Sequence, residues 1–136
     1  MTVQIKRFLI ALLAWTWCFP QQLIGLILIP ILYNKKNKKT RLGTATIYWT
    51  KYLIGASFGQ YIYLPKCLEE SEEIYKHKRH EYGHTLQSFI LGPLYLFIVG
   101  APSLLFNIIS RINKNFAYNY HKRFPENWAN KLGGIE

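Results

Sequence analysis

A chain of 136 residues has room for one core and hardly for two. Half of its residues are apolar, 16% are aromatic and the formal charge is +10 without a single aspartate; the cations flank long apolar runs, which fits anionic lipid headgroups and argues against nucleic acid. The two cysteines, Cys18 inside an apolar run and Cys67 before an acidic patch, exclude a disulfide framework and a Cys-x-x-Cys metal knuckle.

Met1 to Arg7, followed by apolar residues, has the outline of a signal peptide. No Ala-x-Ala pattern follows, however, and the apolar character continues to Tyr33, so the start reads as an uncleaved anchor. Residues 8–33 are long enough to cross a ~30 Å hydrocarbon core, but Phe19-Pro20-Gln21-Gln22 interrupts them. Lys6-Arg7 and the cluster from Lys35 to Arg41, a solvated face, are both basic; the positive-inside preference then favours a hairpin that dips in and returns over one kinked span. Residues 44–65 read as a β-hairpin, with Ala45 to Thr50 and Gln60 to Leu64 as strands and Gly55 to Gly59 as the turn. Its tyrosines are expected against a helix or the headgroup layer.

A helix is predicted over 72–88, its carboxylates at Glu69 to Glu73 placed where the macrodipole favours them. A second apolar segment, 88–109, is broken by Gly92-Pro93 and by Gly100-Ala101-Pro102. A short helix is predicted over 124–133, with Pro125 at its first position and glycine as its stop.

Chemistry concentrates in His80-Glu81-Tyr82-Gly83-His84. Residues four apart project from one face of a helix, so both imidazoles can reach one metal ion, and Glu81 lies about 100° round the helix. Zinc held by His80 and His84 would lower the pKa of a bound water towards ~7, and Glu81 would take its proton. A catalytic zinc needs a third protein ligand, for which His77, His121 and Glu126 are available. Glu126 is preferred, because Asn130 follows one turn later and can support a histidine ring. His121, Tyr118 or Tyr120 would then be free to hydrogen-bond the oxyanion of a tetrahedral intermediate. His77 reads as a solvated helix face and Gln87 as structural.

Together, His-Glu-x-x-His and Glu126-Asn127-Trp128-Ala129-Asn130 resemble the paired motifs of the gluzincin metallopeptidases. The likeness is greatest to their membrane-embedded branch, which includes the prenyl-protein endopeptidases and the heat-shock membrane peptidases. His-Glu-Tyr-Gly-His followed by Leu91 to Leu96 is also similar to small bacterial membrane proteins, which implies a place in the inner membrane. The resemblance implies Zn2+ held by His80, His84 and Glu126, Glu81 as base and Asn130 as the supporting partner. The family has aspartate where Asn130 stands, so the ring it supports is made less basic.

One straight crossing by residues 88–109 would put His84 and Glu126 on opposite sides of a bilayer. That segment must therefore double back, at Gly100-Ala101-Pro102, or pack without spanning. The gluzincin resemblance further implies Gln60 to Leu64 as the edge strand that holds an extended peptide. The sequence thus predicts a single-domain α+β membrane protein, mainly helical, acting as a zinc metallopeptidase on a membrane-bound or membrane-proximal peptide substrate. Two alternatives stand beside it: a non-catalytic metal-binding or sensor protein closed by His121 as fourth ligand, and a zinc amidase or lipid hydrolase.

Overall fold

The computed structural model describes residues 1–135, which form an α+β fold of helices around one four-stranded mixed sheet. The first apolar run breaks into α1 (Val3–Thr16) and α2 (Phe19–Leu32), bent by 98°. The bend lies at Trp17-Cys18, ahead of the Pro-Gln-Gln stretch, and the bent pair has the length and composition of a broken span or a re-entrant loop. Pro20 sits in the first turn of α2, where its missing N–H costs nothing. Among the described residues no single helix is long and apolar enough to cross a membrane.

The elbow is fixed by what it touches. Trp17 Nε1 donates to Phe89 O (3.0 Å), the Cys18 thiol to Ser88 O (3.2 Å) and Gln21 Nε2 to Gly92 O (2.8 Å). These carbonyls belong to the end of the metal-motif helix α3 (Ile74–Leu91) or to the residue just past it. Carbonyls in the last turn of a helix lack a full set of partners; Trp17 supplies one to Phe89 O, and Ser88 O, which already accepts from Gly92 N–H, takes the thiol as a second donor.

The strands are β1 (Lys39–Leu42), β2 (Ala45–Thr50), β3 (Ala56–Phe58) and β4 (Tyr61–Pro65), in the order β1-β2-β4-β3. Here the predicted hairpin is wrong in topology: β2 and β4 are parallel neighbours, with Ile47 opposite Ile62 and Trp49 opposite Leu64. The supposed turn contains β3, which pairs antiparallel with β4, and the lysine cluster, exposed as expected, contributes β1. Gln60 to Leu64 is consequently interior, and β3 is the edge strand on the side of the metal motif. Ala45, Ile47, Trp49, Ile62 and Leu64 form the core on one face, against which Ile74 and Tyr82 of α3 pack. Tyr48, Tyr61 and Tyr63 stack on the other, and the Tyr63 hydroxyl donates to Gly25 O of α2. The tyrosines thus pack against a helix, one of the two expected settings.

At Gly92, with φ +55°, the chain turns out of α3; a side chain there would also overlap the Trp17 indole. A 3₁₀ turn (Gly92–Leu94) and a π-helical turn (Leu96–Gly100) lead into α4 (Ala101–Ile112). Leu96 to Ile112 is one apolar helical run that continues through Gly100-Ala101-Pro102, so the chain does not double back there as predicted; it leaves α3 by the turn at Gly92. After α5 (Lys114–Asn119) and a 3₁₀ turn (Tyr120–Lys122), helix α6 (Glu126–Gly133) packs along α3.

Candidate metal centre

Two glycines let α3 and α6 touch backbone to backbone. A Cβ on Gly83 would lie 2.6 Å from the Ala129 carbonyl carbon and nearer still to its oxygen, and one on Gly133 would lie 2.8 Å from the Arg79 carbonyl carbon. Arg79 Nε closes the same seam by donating to Gly133 O (2.5 Å). The glycine inside the His-Glu-Tyr-Gly-His motif is therefore a packing requirement, and it brings Glu126 under the two histidines.

Glu126 is fully buried, and its Oε2 lies 3.0 Å from His80 Nε2 and 3.3 Å from His84 Nε2. Ser103 Oγ of α4 donates to the other oxygen, Oε1, at 2.5 Å. Although both nitrogens are close, Glu126 Oε2 has no aligned hydrogen bond, and the buried Glu81 Oε2 has none either. Ring nitrogens and a carboxylate oxygen thus crowd one point, a donor set that could hold a metal ion. Behind the rings, His80 Nδ1 meets Asn130 Oδ1 at 2.7 Å and His84 Nδ1 meets Gln87 Oε1 at 2.7 Å.

His121, from the turn before α6, stands edge-on to the His80 ring with centroids 5.2 Å apart. The ligand atoms of His80, His121 and Glu126 all lie within 4.8 Å of one another. Thus the residues expected as ligands (His80, His84, Glu126), the runner-up ligand (His121) and the supporting Asn130 are all brought together. Tyr120 lines the same cleft, whereas Tyr118 is 81% exposed under Lys122. His77 lies 3.8 Å from Glu73 on a half-exposed face and also lines the cleft. Two contributors escaped the sequence reading. Ser103 carries no local signal, and Gln87, read as structural, touches the His84 ring; the one available hint was its place one turn after His84.

Burial works against a charged His80, but Glu126, Glu81 and Asn130 outweigh it and raise its pKa to about 9. Burial likewise opposes the Glu126 carboxylate, yet His80, His84 and Ser103 hold it well below the ordinary range. Glu81 goes the other way, pushed up by burial despite the nearby histidines.

The site opens into a cleft of about 1000 Å³. Its walls include Leu28 and Leu32 of α2, Leu104 and Ile108 of α4, and the edge strand from Ala56 to Phe58. No family model, curated protein or solved structure matches the chain.

Proposed function

We propose that this protein is a membrane-associated zinc metallopeptidase, with His80, His84 and Glu126 as the metal ligands. The observation that carries the reading is the pair of buried carboxylate oxygens, Glu81 Oε2 and Glu126 Oε2, left without hydrogen bonds beside two imidazole nitrogens. The two imidazoles pair with the Glu126 carboxylate but leave Glu81 Oε2 without a partner, and a divalent cation held by His80, His84 and Glu126 would offset the cost of burying two carboxylates together. Two imidazoles and one carboxylate are a donor set suited to zinc. When bound there, zinc supplies Lewis acidity and lowers the pKa of water towards ~7.

The chain's own residues do the rest. Glu81 takes a proton from the attacking water and hands it to the leaving nitrogen as the C–N bond breaks; its raised pKa brings it nearer the operating pH of such a base. Tyr120, whose pKa is raised chiefly by burial and then by Glu126, stays protonated, and with His121 it faces the cleft as a donor to the developing oxyanion. The edge strand β3 offers main-chain pairing to an extended peptide.

The membrane part of the reading is supported by the outer faces of the helices that wall the cleft. Leu23, Ile27 and Ile31 of α2 and Leu105 and Ile112 of α4 are exposed, as are Phe8, Leu9 and Leu12 of α1. So much exposed apolar surface, with a formal charge of +10, fits a lipid bilayer with anionic headgroups and a substrate held at it. One observation favours a second reading: His121 is within ligand reach of His80 and Glu126, and as a fourth ligand it would close the site into a structural or sensor centre.

The test is hydrolysis of a quenched fluorescent peptide anchored in anionic vesicles, by zinc-loaded wild type and by Glu81→Gln. Turnover falling about 10²–10⁴-fold in the variant, with zinc retained, is expected. Equal turnover in both removes Glu81 from the mechanism.

A further inference from the structure

Gln87 lies one turn after His84 on α3 and is fully buried. Its Nε2 donates to Pro125 O at 3.0 Å. A backbone carbonyl can only accept, so this contact settles which end of the amide is nitrogen, and it leaves Oε1 facing His84 Nδ1 at 2.7 Å. An amide oxygen also only accepts, so Nδ1 carries the ring proton. In the neutral ring the lone pair is then on Nε2, the nitrogen that stands 3.3 Å from Glu126 Oε2.

The second contact matters as much as the first. Pro125 immediately precedes Glu126, so one amide grips both the ring of one ligand and the backbone that delivers another. We propose that Gln87 is a positioning residue of the metal centre: its buried amide selects Nε2 as the metal-binding nitrogen of His84 and sets the separation of the α3 and α6 ligand arms. The proposal rests on the metal-centre reading above.

Two substitutions take the two contacts apart. Gln87→Glu keeps an acceptor for His84 Nδ1 but loses the donor to Pro125 O, whereas Gln87→Met loses both at similar volume. The experiment uses the full chain in mild detergent, with zinc affinity measured by competition with a chromogenic chelator and the His84 tautomer read by 15N NMR in the metal-free protein with the ring neutral. In wild type we expect zinc binding and a single Nδ1–H tautomer. In Gln87→Met we expect affinity about 10–100-fold weaker and a mixture of tautomers, and in Gln87→Glu the wild-type tautomer with weakened affinity.

Wild-type affinity and tautomer in Gln87→Met would overturn the proposal and leave the metal site standing. A proton found on His84 Nε2 in wild type would overturn it without any variant, and so covers the case in which Gln87→Met fails to fold. If wild type binds no zinc, the metal-centre reading falls and this proposal with it, a failure that the wild-type titration separates from a failure of Gln87 alone.

Discussion

Gly83→Ala tests whether the closeness of α3 and α6 builds the site. The added Cβ would stand 2.6 Å from the Ala129 carbonyl carbon, roughly 1 Å short of the ~3.5–4.0 Å at which carbon atoms rest. Since Ala129 O is part of the α6 backbone, no flexible side chain can yield, and the helices must separate by about that amount. Forcing atoms into a packed contact costs about 1–3 kcal/mol. Alanine in place of a helical glycine returns about 1 kcal/mol, so the net loss of stability is modest, about 0–2 kcal/mol. The ligands fare worse, because Glu126 is carried by α6 and the histidines by α3, and metal–ligand distances tolerate only about ±0.2 Å. Zinc affinity should therefore fall at least about tenfold while the helical circular dichroism persists. Gly100→Ala is the control, since the nearest atom to its Cβ is at 3.5 Å, an ordinary contact. Chelator competition and thermal unfolding, run on both variants, decide the matter. Wild-type zinc affinity in Gly83→Ala would refute the claim that helix contact places the ligands.

His121→Ala separates the catalytic from the closed arrangement. With three ligands, zinc binding should hold while turnover drops about 10²–10³-fold through loss of an oxyanion donor; a parallel loss of zinc would mark His121 as a fourth ligand. The metal-free chain should also show a definite pH dependence of stability. His80, raised from 6.5 to about 9 in the fold, contributes fully below pH 6.5 and loses its contribution as pH rises through 9; Glu81, also raised, contributes fully below its ordinary 4.5 and loses its contribution as pH rises above that value. Glu126, held below its ordinary 4.5, contributes above that value and loses its contribution as pH falls further. The unfolding midpoint in excess chelator should thus fall as pH rises from 6.5 to 9, and a midpoint that climbs over that range would contradict this electrostatic account.

What the sequence made legible is what depends on local spacing. His80 and His84 share a face because they are four apart on a helix, and Glu126 and Asn130 are linked in the same way, so the ligand helices were within reach of pattern reading. Contacts between distant segments were not. The amide of Gln87 finds Pro125, the hydroxyl of Ser103 finds Glu126, and Gly83 meets Ala129, none of which leaves a periodic trace. The sheet failed for a related reason. Strand-like runs on either side of Gly55 and Gly59 look like a hairpin, but a three-residue strand between them is enough to carry the chain across and make β2 and β4 parallel. The elbow was displaced by a shorter distance: Pro20 and the glutamines were recognised as a break, yet proline belongs to the first turn of the new helix and the glutamines to the contacts that hold it.

The most direct test of the central claim is metal content, by mass spectrometry, of protein purified in mild detergent without added metal. It should be measured for wild type, His84→Ala and Glu126→Ala. The account predicts near-stoichiometric zinc in wild type and its loss in both variants, because one ion bridges α3 and α6. Wild-type protein that holds no metal even after zinc is offered would contradict it, and zinc that survives Glu126→Ala would take that carboxylate out of the ligand set.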